Sequence, residues 1–203
     1  ALIDNTAFTK HLITGKDATD FLDWFTCNKL PNISKINLTY ALTEKGTIRS
    51  EYTIVRIDRD KYYLISAGAW QKYDSDYLEK SIEEKKNTFK DVNFFDITSM
   101  RGVFSIAGPN SRNFLKKVIE SSNNTDLLSN QNFPWLSMKE IEIGMCPVLA
   151  IRVSYTGELG WELHHPIEMQ NYLFDILENY GKEFELKPQN IEIFNLELID
   201  YNY

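Results

Sequence analysis

The sequence predicts an α+β fold built from two related halves, and three observations carry that prediction. Four amphipathic stretches with helical periodicity alternate with short strand-like runs. The spacing of Gly15, Phe21 and Leu22 is repeated by Gly108, Phe114 and Leu115, each set following an alternating run and opening a helical one. The order strand, turn, strand, helix also occurs twice. A unit of roughly a hundred residues buries too little surface alone, so a duplicated unit is the natural reading. The expected organisation is a single domain over 1–203, with half-repeats of approximately 1–98 and 99–190.

The helices follow from side-chain spacing. Residues 16–27 place Ala18, Phe21, Leu22 and Phe25 on one face. Residues 71–86 bring Tyr73, Tyr77 and Leu78 together, then run into a charged, solvated face. Residues 110–121 offer Phe114, Leu115, Val118 and Ile119 after a Gly-Pro start. Residues 167–180 carry the widest stripe, with Met169, Tyr172, Leu173, Ile176, Leu177 and Tyr180. All four are read as core-facing helices. The strand candidates are 52–57, 62–66, 103–107 and 148–155. DRD joins the first two as a hairpin, and TGELG follows the last, with Gly157 and Gly160 supplying permissive backbone.

Composition narrows the function classes. The chain is 43% hydrophobic and 25% charged, as a globular protein is, and its net charge of −7 argues against a nucleic-acid surface. A local arginine cluster can still hold a small anion. Cys27 and Cys146 lie far apart and read as buried free thiols of a reducing compartment. Sequence neighbours point to opposite faces of a strand, so the tandem His164-His165 is a poor metal site and no metal is expected. No run approaches the roughly 18 apolar residues of a membrane span, and residues 1–12 lack signal-peptide character. A cytoplasmic or organellar-matrix location is the expectation.

The most distinctive stretch is RVSYTGELGWELH, residues 152–164, a hairpin presenting Arg152, Tyr155, Glu158 and Glu162. On spacing alone two readings stand: a ligand-binding hairpin, or a packed turn in which Trp161 is buried and both carboxylates are solvated. The stretch closely resembles the signature of the glycine-cleavage T-protein (aminomethyltransferase) family, nearest to its dimethylglycine and sarcosine dehydrogenase branch. Residues 1–31, 41–57 and 100–115 (MRGVFSIAGPNSRNFL) resemble three further family segments in the family's order, so the likeness covers about residues 1–190.

That resemblance implies a folate-binding α+β domain of two related halves, with tetrahydrofolate as the ligand. Glu162 stands at the position whose carboxylate grips the pterin, accepting two parallel N–H bonds. Tyr155 stands at the folate-contacting tyrosine, where its ring can line the ligand and its hydroxyl can hydrogen-bond. Glu158 is a further candidate, although the turn itself explains it. Glu51 falls where T-proteins carry a catalytic Asp, and would stabilise cationic charge or move a proton. A plain outward strand residue remains the alternative there. Arg49 is expected on the same strand face as Glu51, and Arg56 on the other.

The sequence also departs from the family pattern. No Arg follows Arg152, no G-x-G-x-x-G marks an FAD site, and the family's C-terminal domain is not represented. The leading expectation is a one-carbon transfer domain that takes an aminomethyl or methylene unit from an amine to tetrahydrofolate. Its rivals are a non-catalytic folate-binding protein and a truncated module that packs on a separate dehydrogenase subunit. The tail, residues 190–203, alternates like a strand and is expected to pair with another copy or subunit, or to be poorly ordered.

Overall fold

Helix α1 (Ala18–Phe25) buries Ala18, Phe21, Leu22 and Phe25, the stripe its spacing predicts. Helix α2 (Gln71–Lys85) instead buries Asp74, Leu78 and Ser81. Its inward face is set by the Asp74 carboxylate, which accepts bonds of 2.6 Å from both Ser50 Oγ and Ser66 Oγ. Tyr73 therefore lies on the flank and is exposed rather than in the core. Helix α3 (Ser111–Ile119) buries Phe114, Leu115, Val118 and Ile119. Helix α4 (Gln170–Gly181) follows a single 3-10 turn and buries Leu173 and Leu177, while Tyr180 stays exposed. The computed structural model describes residues 1–119, 126–154 and 157–189. The sequence-predicted end of α3 beyond Ile119, Tyr155, and the tail from residue 190 onward lie outside them.

In chain order the strands are β1 (Leu2–Asp4), β2 (Thr9–Thr14), β3 (Ile36–Leu42), β4 (Ile48–Asp58), β5 (Lys61–Ser66) and β6 (Asn93–Asp96). They continue as β7 (Arg101–Ala107), β8 (Met138–Ile143), β9 (Cys146–Ile151), β10 (Gly160–Pro166) and β11 (Pro188–Gln189). The chain forms two units. One is Ala7–Ser99 with Leu136–Met138, and the other is Ala1–Thr6 with Met100–Trp135 and the described residues from Lys139 onward.

The first unit carries an antiparallel sheet in the order β3-β4-β5-β2-β6. The second carries β8-β9-β10-β7-β1-β11, with β1 and β11 parallel. Read from β3 and from β8, the two sheets share one topology: β4 corresponds to β9, β5 to β10 and β2 to β7. The place held by β6 beside β2 is held by β1 beside β7, so the first strand of the chain completes the second sheet. One face of each sheet is covered by its own helices. Ile13, Tyr52, Ile54, Tyr62 and Leu64 meet α1 and α2 in the first core, and Phe104, Ile106, Trp161 and Leu163 meet α3 and α4 in the second.

Three expectations are corrected at this level. Cys27 is exposed rather than buried, because it lies just past the C-terminus of α1, where its backbone N–H donates to Tyr40 O; Cys146 is buried. The strand expected over residues 148–155 ends at Ile151, since the β9–β10 ladder stops at the pair Ile151–Glu162. The turn expected at TGELG does not close on itself: Gly157, at φ +74°, lies in the connection before β10, Gly160 already opens that strand, and Thr156 lies outside the described residues.

Candidate functional site

Strand β10 sits between β7 and β9, and its alternation sorts its side chains. Trp161, Leu163 and His165 point to the helices; Glu162 and His164 point to the other face. The guanidinium groups of Arg152 and Arg112 lie 5.5 and 5.8 Å from the Trp161 ring, so Arg152 belongs to the helix side. Burial and the neighbouring Arg112 both lower the Arg152 pKa. His165 stacks on Phe104 and engages Leu163 O and Gln170 Oε1 at 2.9 and 2.8 Å. The tandem histidines thus face opposite ways, as the spacing predicts.

Glu162 is 4% exposed and His164 1% exposed. His164 Nε2 lies 3.1 Å from Glu162 Oε2. A carboxylate only accepts, so Nε2 is the donor, which fixes a proton on that nitrogen. Ser105 on β7 is the cross-strand partner of Glu162, and its Oγ accepts a 2.6 Å bond from Asn5 Nδ2. The non-helical face of this sheet therefore carries a short polar row: Asn5, Ser105, Glu162 and His164. A carboxylate offers about four lone-pair positions, and His164 takes one of them, so acceptor capacity for a donor pair remains.

The other sequence-predicted residues are distributed differently. Glu158 is exposed in the connection before β10, near Gly108 and the amino group of Ala1. Glu51 lies on β4 in the other unit, exposed and directly opposite Tyr40 on β3. The charge of Glu51, then burial, then a hydrogen bond to Glu51 raise the Tyr40 phenol above its ordinary value. Tyr155 lies outside the described residues.

Arg49 does not share the face of Glu51. The ladder slips between Ala41 and Leu42, pairing Ala41 with Ser50 and Leu42 with Ile48, so Arg49 is the extra residue of a bulge. Its guanidinium lies 3.8 Å from the Tyr73 ring centroid and 4.9 Å from that of Tyr77, both on α2. Arg56 is on the helix side as expected, bonded to Arg59 O at 2.8 Å and lying 5.2 Å from the Tyr62 ring. What sequence reasoning missed is the Glu162–His164 pair itself. The signal was available in the i, i+2 spacing, which puts both residues on one strand face.

The family model described as GCVT N-terminal domain matches residues 1–198. The mitochondrial dimethylglycine dehydrogenase of Homo sapiens is 34% identical over 183 residues, covering 90% of this chain and 20% of that protein. This chain thus spans about a fifth of the length of that relative. The glycine cleavage system aminomethyltransferase T from Bartonella henselae has the same fold, with a TM-score of 0.74 at 18% identity over 94% of this chain and 47% of that one. A chain of the heterotetrameric sarcosine oxidase from Corynebacterium sp. U-96 matches with a TM-score of 0.67 at 17% identity, over 92% of this chain and 86% of that one. A match over nearly all of the sequence settles the relationship: the chain belongs to the GCVT N-terminal domain family.

Proposed function

We propose that this chain is the tetrahydrofolate-binding part of a one-carbon transferase of the aminomethyltransferase type. The observation that carries the reading is Glu162, a buried carboxylate held by His164 on the non-helical sheet face. It stands at the signature position where the family grips the pterin. A pterin presents a ring N–H beside an exocyclic amine, and a carboxylate accepts both in parallel.

Tetrahydrofolate would supply the nitrogen that receives the one-carbon unit from an amine donor. The protein's own contribution is to bind, through Glu162 and the ring of Tyr155, and to manage charge through Glu51. A carboxylate at position 51 stabilises positive charge on the amine nitrogen of the one-carbon unit or takes a proton from it. Arg49 and Glu158 are left out, the first because it is engaged on α2 and the second because it lies exposed beside Gly108. A relative of about five times this length and a heterotetrameric structural neighbour support action beside a dehydrogenase-type partner.

Calorimetric titration with tetrahydrofolate tests the reading. Glu162→Gln keeps the size and replaces one acceptor by a donor. It is expected to cost roughly 1.5–3 kcal/mol, at least about tenfold in affinity. Equal affinity in parent and variant overturns the assignment.

A further inference from the structure

The duplicated architecture offers an internal control for the polar row on β7 and β10. Superposing the two sheet orders so that Gly15 meets Gly108 places Leu12 at the position of Ser105 and Lys10 at that of Val103. Through the ladders, Tyr63 then corresponds to Glu162 and Ile65 to His164. Both Tyr63 and Ile65 are buried. The fold therefore accommodates uncharged side chains at the equivalent places of the other sheet. Burying such a pair costs solvation that hydrophobic residues would not lose, so its presence points to a ligand-directed role.

We propose that His164 is a positioning residue for Glu162, deepening the folate reading above. The Nε2–H of His164 donates to Oε2 and fixes the plane of the carboxylate. With that plane fixed, the carboxylate meets two parallel ligand donors without first losing rotamer freedom. Oε2 retains a second lone pair, so the bond to His164 and a bond to the ligand coexist. His164 touches no reacting atom in this role. It acts through Glu162 and sets affinity rather than chemistry.

The test compares three proteins: the parent, His164→Phe and His164→Gln. Phenylalanine keeps an aromatic ring and loses the donor, whereas the Gln amide nitrogen reaches about as far as Nε2 and still donates. Titration with tetrahydrofolate should show affinity falling about tenfold in His164→Phe, the loss of one charge-assisted bond. Affinity should return to within about threefold of the parent in His164→Gln. A Phe variant that binds like the parent, or a Gln variant no tighter than the Phe variant, overturns the proposal.

A second measurement needs neither ligand nor a folded Phe variant. Nitrogen-15 NMR of the histidine side chains should show His164 Nε2 protonated, with its proton resonance shifted downfield by the carboxylate. Glu162→Gln should move that resonance upfield. If the parent itself fails to bind tetrahydrofolate, the folate reading falls. The nitrogen spectrum then decides separately whether His164 holds Glu162, and a resonance unchanged by Glu162→Gln overturns that too.

Discussion

Gly15 and Gly108 adopt the same left-handed backbone, at φ +123° and +126°, each three residues before the first residue of a helix. Each carbonyl accepts from the residue that opens its helix: Ala18 N–H at 3.0 Å and Ser111 N–H at 3.1 Å. The two turns are one motif used twice, yet their surroundings differ. A Cβ on Gly15 would meet the Asp91 carbonyl oxygen at 2.1 Å, while one on Gly108 meets nothing nearer than 3.8 Å. Gly108→Ala should therefore cost only the backbone strain, about 1–3 kcal/mol. Gly15→Ala should cost clearly more, because the Asp91 backbone must move. Urea denaturation of both variants checks this, and equal losses would show the Asp91 contact to be soft.

Arg49 supplies the next prediction. Its guanidinium lies over Tyr73 and Tyr77, so it ties β4 to α2. Arg49→Ala should lower stability by about 0.5–2 kcal/mol, the range for a cation–π contact. Tetrahydrofolate affinity should stay within about twofold. A tenfold loss of affinity at unchanged stability would return Arg49 to the ligand.

The difference between these two cases shows what the sequence makes legible. The repeat was readable because its signals are local: a glycine, then apolar residues at helical spacing. The core faces of α1 and α3 follow from the same periodicity. The orientation of α2 was not readable, because Asp74 is drawn inward by Ser50 and Ser66, which are distant in sequence. Arg49 was misplaced because strict alternation assumes an unbroken ladder, and the bulge at Ala41/Leu42 breaks it. The partner strand of β1 was equally hidden, since pairing Leu2 with Ile106 spans the whole first unit. At the candidate site, the motif singles out Glu162, while the i, i+2 spacing puts His164 on the same strand face and only the 3.1 Å Nε2–Oε2 distance shows that the two meet.

Glu51 separates binding from chemistry. If Glu51 acts, as proposed, on charge that develops during transfer, Glu51→Gln should leave folate affinity within a few-fold and lower turnover. The same substitution has a ligand-free readout. Glu51 is the largest cause holding the Tyr40 phenol above its ordinary value, so Glu51→Gln should move the Tyr40 titration down, toward that ordinary value. Ultraviolet difference titration of the parent and variant measures this. Full turnover in Glu51→Gln would reduce the residue to an ordinary surface position.

The last prediction concerns pH. His11 on β2 is fully buried, donating to or accepting from Ser75 Oγ at 2.9 Å through Nε2, while Nδ1 has no partner among the described residues. Burial lowers its pKa, against the opposing pull of Asp96 first and Asp74 second. The unfolded chain therefore takes up the His11 proton at a higher pH than the folded chain does. Above about pH 6.5 both states are neutral at this residue and it makes no pH-dependent contribution. As pH falls below about 6.5 the unfolded state is protonated first, so stability drops with a slope of at most about 1.4 kcal/mol per pH unit. The loss levels off once the folded-state His11 is also protonated. His11→Gln keeps a partner for Ser75 and removes the titration, so its stability should fall less steeply between pH 7.5 and 5.5. Urea midpoints of parent and variant across that range decide it, the carboxylates other than Asp96 contributing alike to both. Parallel curves would mean that the fold admits a charged His11 without penalty, and the burial argument for this residue would be wrong.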